Sequence, residues 1–167
     1  VIVVGELRDG ETADIAIRGS NTGHLVLTSL HTNDSIGAFE RLINMGVNPY
    51  SLGEAICAVM GQRLVRRLCP HCKQAYKLDL MSDEARKFHL PKRDERVTFY
   101  KPVGCAACRN TGYNGRIAVN EVLVVTPKIR ELIQRHALRR EYEDELRRNG
   151  FHSMYADAMD KAYAGIT

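Results

Sequence analysis

Two short apolar runs that bracket one helix constrain this chain most. The first, Val1-Ile-Val-Val, stops at Gly5-Glu6, and the second, His24-Leu-Val-Leu-Thr-Ser-Leu, stops at His31-Thr-Asn-Asp34. Between them Asp9-Gly-Glu-Thr opens a helix with Asp9 as its cap. Ala13, Ile15, Ala16 and Ile17 form its apolar side, and Ser20-Asn-Thr-Gly23 ends it. Strand, helix and strand within about 30 residues is the length of a βαβ unit, whose strands run parallel. Four β-branched residues in a row predict a first strand buried on both faces, and the second run reads as a core strand too. Glu6 and His31 then lie at one edge of one sheet.

That edge is where parallel α/β folds hold ligands. An acid placed there can hold the water around Mg²⁺ or orient a water for attack on a γ-phosphate. Taken alone, the pattern fits a buried strand and a polar loop equally well.

Asp34 or Ser35 caps a next helix carrying Ile36, Phe39, Leu42, Ile43 and Met45, closed by Gly46. After the Asn48-Pro49 turn, Ile56, Val59, Met60, Leu64 and Leu68 predict a longer helix from about Ser51 to Leu68, with Arg63, Arg66 and Arg67 on one turn. From Cys69 to Cys108 periodicity weakens. A short helix is expected from Ser82 and a short strand over Val97–Tyr100. Asn114-Gly115 is a hairpin signal before the strongest strand of the second half, Ile117–Val125. Thr126-Pro127 starts a helix with Pro at its first position, and charged amphipathic helices follow, broken near Asn149-Gly150.

Net charge is +4, which does not by itself argue for nucleic acid. No apolar run approaches the roughly 18 residues that span a bilayer. The chain has no initiator Met, opens inside a strand and shows no secretory leader pattern, so we expect a fragment.

Cys69-Pro-His-Cys72 and Cys105-Ala-Ala-Cys108 have the pair spacing of a tetrahedral zinc site, with 33 positions between the pairs. Disulfides are the second reading, disfavoured without a secretion signal. A redox pair is the third. Four thiolates complete the shell, so the site would be structural and His71 no ligand. It would clamp an arm with too little apolar content to hold itself together. Cys57, in an apolar stretch, reads as a buried thiol. His24 reads as structural, and His89, His136 and His152 as solvent-facing.

Six stretches in order carry a family resemblance. They are Val1–Ala13 (VIVVGELRDGETA), Thr22–Asp34 (TGHLVLTSLHTND), Gln62–Cys69 (QRLVRRLC), Gly112–Arg116 (GYNGR) and the two cysteine pairs. Together they resemble the C-terminal part of the secretion ATPases of type II secretion and type IV pilus assembly. The resemblance implies an α/β fold, the C-terminal half of a RecA-like parallel-sheet ATPase core with a zinc-binding arm and C-terminal helices. Residues 1–68 would be the partial core, 69–112 the four-cysteine arm, and 113–167 the closing strand and helical segment.

The same resemblance implies site roles. Glu6 matches the acid of the family's Walker B motif, and His31 its histidine box, which contacts or senses the γ-phosphate. Arg8 and Asp9 follow the acid and couple the site to a neighbouring subunit. Gln62 and Arg63 match a stretch near the nucleotide base. The cofactors are structural Zn²⁺, and Mg²⁺ with ATP in the full-length protein. The partners it implies for the full-length protein are a homo-hexamer, an inner-membrane platform protein and other secretion or pilus components, without direct nucleic acid. The location it implies is cytoplasmic and peripheral at the inner membrane. The four cysteines favour an assembly or export motor over a retraction motor.

One departure matters: the chain contains no Gly-Lys, so the family's Gly-x-x-x-x-Gly-Lys-[Ser/Thr] phosphate loop is absent. The family pattern puts that loop roughly 60 residues upstream of Val1. Three function classes follow: a motor ATPase fragment without turnover of its own, a zinc-stabilised interaction module, and a zinc-ribbon nucleic-acid binder. The last needs a basic stripe with exposed aromatics, which Asp79, Asp83, Glu84, Asp94 and Glu95 interrupt.

Overall fold

A computed structural model describes residues 1–88, 90 and 96–167. His89, Pro91, Asp94 and Glu95, named above or inside the arm, lie outside the described residues. The elements are β1 (Ile2–Val4), α1 (Gly10–Asn21), β2 (Val26–Thr28), α2 (Ser35–Asn44), α3 (Pro49–Ala55), β3 (Ala58–Leu68), β4 (Gln74–Asp79), α4 (Asp83–Lys87), β5 (Arg96–Lys101), β6 (Tyr113–Val124), α5 (Pro127–Gln134), α6 (Arg139–Arg148) and α7 (Met154–Tyr163). A short 3-10 turn, Ala106–Cys108, precedes β6. The chain is mixed α/β. It divides into two compact units, Val1–Gly61 with Glu121–Ser153, and Gln62–Asn120 with Met154–Thr167.

The first unit contains the βαβ unit expected from the sequence. β1 and β2 pair in parallel, Ile2 opposite Val26, Val3 opposite Leu27 and Val4 opposite Thr28. Burial on both faces does not hold. Val3 is 74% and Leu27 51% exposed. A sheet of two parallel strands with α1 near Ile2 and Val26 covers one face and leaves the other open. α1 begins where expected, Asp9 Oδ1 accepting from the Thr12 N–H at 2.8 Å. Its buried side is Ala13, Ala16 and Ile17, while Ile15 points outward.

The core of this unit is built by α1, α2, α3, α5 and α6. Phe39, Leu52, Leu123, Ile129 and Ile133 are its largest fully buried side chains, and Phe39 stacks on Tyr142 with ring centroids 5.7 Å apart. Thr126 caps α5 ahead of Pro127, and the last helices break at Asn149, as the sequence predicts.

The long helix over Ser51–Leu68 is wrong. α3 ends at Ala55, Ile56 turns extended (ψ 127), and Ala58–Leu68 is a strand paired with β6. The apolar spacing fitted a helix, but Met60 and Leu64 are exposed and form no buried stripe. Gly61 weakens a helix, Val59 and Val65 suit a strand, and the partner strand decides. Arg63, Arg66 and Arg67 therefore sit on a strand rather than one helical turn. Asn114-Gly115 forms no hairpin either. It lies inside β6, with Gly115 at φ 75.

The second unit holds the antiparallel pair β4–β5, from Gln74 opposite Lys101 to Asp79 opposite Arg96. The arm is less bare than expected. Leu78, Leu80, Ala85 and Leu90 make a small buried cluster, joined by Tyr76, Val97, Phe99 and Met159. The chain's end is tied to the same unit: the Leu68 N–H donates to Ile166 O at 2.8 Å, and Lys73 Nζ to Gly165 O at 2.6 Å.

Candidate functional site

In the first unit the polar ends of β1 and β2 meet. Past the last paired residues, Leu7 N–H donates to Ser29 O at 3.1 Å and Ser29 Oγ to Gly5 O at 2.6 Å, so the two exits stay in register. Glu6 Oε1 then lies 3.1 Å from His31 Nε2. Its other oxygen, Oε2, accepts from Arg8 Nε at 2.8 Å, with the Arg8 terminal nitrogen at 2.7 Å. The hydrogen bond from Arg8 is the main cause holding the Glu6 carboxyl below its usual range. Burial opposes it, and the charges of Arg8 and His31 add to it. Glu6 is therefore a carboxylate at neutral pH, mostly sheltered, beside an imidazole whose side chain is 90% exposed.

The other residues predicted for this site do different things. Asp9 is engaged as the α1 cap, taking the Thr12 N–H and the Thr12 hydroxyl, which lower its pKa. Gln62 and Arg63 are exposed positions of β3 in the second unit.

Sequence reading foresaw Asp34 as a cap but missed the rest of the anchoring after His31. Asp34 caps α2 by accepting from the Gly37 N–H at 2.8 Å, and Arg139 of α6 reaches Asp34 Oδ2 at 2.5 Å. Glu121, only 6% exposed, accepts from both the N–H and the hydroxyl of Ser35 at 2.7 Å each. Alternation held the signal. Val119, Glu121 and Leu123 share one face of β6, and an acid on the buried face of an apolar strand needs a partner.

In the second unit the four predicted ligands converge. The sulfurs of Cys69, Cys72, Cys105 and Cys108 all lie within 4.8 Å of one another. Cys69 to Cys105 is 3.9 Å, Cys72 to Cys108 3.8 Å and Cys105 to Cys108 3.8 Å. A tetrahedral shell with Zn–S bonds of roughly 2.3 Å puts its sulfurs about 3.8 Å apart. A disulfide needs roughly 2.05 Å, and all five cysteines are free thiols. Cys57 is exposed rather than buried.

Backbone donors complete the thiol shell. The Gly104 N–H points at Cys72 Sγ (3.3 Å), and those of Cys105 and Gly112 at Cys108 Sγ (3.2 Å each). Gly112 is at φ 75, and a Cβ there would lie 2.4 Å from Pro102, so the donor needs a glycine. Burial, the largest influence, pushes the Cys72 thiol up to about 11. Burial pushes Cys108 the same way, but the N–H donors of Cys105 and Gly112 with the thiols of Cys105 and Cys72 bring it down to about 6. The backbone donors favour negative sulfur at Cys108, and the four close sulfurs could hold a metal ion.

A family model described as type II/IV secretion system protein matches residues 1–167. The chain belongs to that family. Among curated relatives it is 42% identical over 167 residues to the type II secretion system ATPase E of Vibrio cholerae, covering 100% of this chain and 32% of that protein. It is 43% identical over 168 residues to the type IV pilus assembly ATPase PilB of Thermus thermophilus, covering 100% of this chain and 19% of that one. The chain thus spans a third or less of the relatives it matches. The structure of the ATPase DotB of Yersinia pseudotuberculosis superposes with a TM-score of 0.61 at 24% identity, over 99% of this chain and 34% of that one. That likeness is one of fold. Among the described residues, no helix is long and apolar enough to cross a membrane.

Proposed function

We propose that this member of the type II/IV secretion family is part of a hexameric motor ATPase that drives type II secretion or type IV pilus assembly. The observation that carries this reading is the 3.1 Å approach of Glu6 and His31 at the tips of two parallel strands. Glu6 polarises the attacking water, and Arg8 tunes how basic its carboxylate is. His31, on an exposed strand exit, contacts the γ-phosphate and passes its presence to the backbone that carries it. Mg²⁺ bound with ATP would neutralise phosphate charge beside Glu6. Asp9 holds α1 against this edge, and Arg8 and Asp9 couple the site to a neighbouring subunit. Gln62 and Arg63 are assigned to the nucleotide base on resemblance alone.

In this reading residues 1–68 are the catalytic half, 69–112 the metal arm, and 113–167 the closing strand and helices. Cys69, Cys72, Cys105 and Cys108 would hold Zn²⁺ with no open position, so its role is structural. The full-length protein works at the cytoplasmic face of the inner membrane, against a membrane platform protein and other secretion or pilus components.

Without a phosphate loop the 167-residue chain should show no measurable ATP turnover, whereas the full-length protein should turn over and lose most of its rate on His31→Ala. Wild-type rates in that variant would remove His31 from the site. The four close sulfurs favour one second reading, a zinc-stabilised interaction module of a secretion machine without catalysis of its own, which predicts no turnover in the full-length protein either.

A further inference from the structure

His31 has almost nothing to hold it. Its side chain is 90% exposed, so its place beside Glu6 is set by its backbone and one polar contact rather than by packing. The backbone is pinned on both sides. Upstream are the β1–β2 register and the Ser29 bonds described above. Downstream is the start of α2, four residues on. There Thr32 Oγ1 donates to Asp34 O at 3.0 Å and closes the turn between His31 and the helix.

The start of α2 carries more anchoring than a helix cap requires. One carboxylate commonly serves a helix N-terminus. Here Asp34 takes the Gly37 N–H, and Glu121 takes the Ser35 N–H and hydroxyl. A buried acid such as Glu121, beside the partly exposed Asp34, is costly to desolvate unless its partners are well placed. Two donors at 2.7 Å and the helix dipole offset that cost. Both acids are held from distant sequence: Glu121 is 86 residues from Ser35 along the chain, and Arg139, which grips Asp34, is 105 residues from it.

We infer that Glu121 and Arg139 are positioning residues for His31. They latch the N-terminus of α2 and so fix where the imidazole stands relative to Glu6. Their catalytic consequence rests on the role given to Glu6 and His31 above. The latch itself is a statement about geometry.

Two measurements separate the levels. In the 167-residue chain labelled with ¹³C-histidine, Glu121→Gln and Arg139→Ala should each shift or broaden the His31 ring resonance while that of His24 stays in place. An unchanged His31 resonance in both variants overturns the latch. In the full-length protein, Glu121→Gln should lower kcat about tenfold or more, with KM for ATP within about twofold. The loss should vanish in a His31→Ala background, where the double variant turns over like His31→Ala alone. Losses that multiply show that Glu121 acts elsewhere and overturn its positioning role.

Should Glu121→Gln fail to fold, Arg139→Ala carries the same cycle from the surface. An approximately threefold loss, absorbed by His31→Ala and restored by Arg139→Lys, is expected. A shifted resonance together with wild-type turnover of His31→Ala supports the latch and overturns the catalytic reading of His31.

Discussion

The two units of this chain solve the same problem with different chemistry. The first buries a continuous apolar core, from Ala13 through Phe39 and Leu52 to Ile133, and sets its polar pair at an open edge. The second has, among its described residues, a four-residue buried cluster around Leu78 and four sulfurs in contact range. An apolar core is tolerant of small changes, because burial is non-directional and summed over many atoms. A metal held by those sulfurs would concentrate stability in four atoms. The first unit should therefore lose stability by degrees and the second all at once.

Loss of the metal proposed for the four sulfurs should have the largest effect. Structural zinc sites carry apparent binding free energies on the order of 10 kcal/mol. Cys69→Ser, or a strong chelator, should abolish metal binding and strip hydrogen-exchange protection from amides of residues 62–120, leaving those of α1 and α2 protected. Equal loss in both units would break the contrast. One zinc per chain by metal analysis is the matching stoichiometry.

Phe39→Ala comes next. It removes the most bulky fully buried side chain of the first unit and its contact with Tyr142. A loss of about 3–5 kcal/mol is expected in urea unfolding of that unit, with the metal content unchanged.

Gly165→Ala sharpens the contrast from the other side. A Cβ there would lie 2.6 Å from the Tyr100 ring at φ 64, in the second unit. Strain of about 1–3 kcal/mol is expected, enough to weaken the tie of the C-terminal tail. With metal bound, thermal unfolding should show the loss without metal release.

The smallest effect is acid. Glu6 and Asp9 titrate below their ordinary values of 4.5 and 3.8 when folded. Their contribution to the first unit is therefore present above those values and lost as pH falls through the lower folded ones. Urea midpoints of that unit should be flat from pH 7 to about 5 and fall below about 4. A midpoint that rises on acidification would show that these contacts do not stabilise the fold.

What could be foreseen divides along physical lines. Local chemistry was legible: Asp9, Asp34 and Thr126 cap the helices expected of them, because a cap depends on residues three positions apart. The cysteine pairs were legible for the same reason, since each forms within one tight turn. Strand against helix at Ala58–Leu68 was not, because both periods fit the apolar positions and the outcome rests on pairing with β6, about 50 residues away. The exposed faces of β1 and β2 were hidden too, since β-branched content reports a strand without saying what covers it. Glu121 was overlooked inside a run read only for its apolar residues. Its partner, Ser35, is 86 positions off, beyond any local pattern.

The proposed function stands or falls with Glu6, and one variant isolates it. In the full-length protein, Glu6→Gln keeps the shape of the side chain and its neighbours but removes the charge. The account predicts ATP binding within about twofold of wild type and a fall in kcat of about a hundredfold or more. Unchanged turnover, or loss of binding in step with turnover, would contradict it.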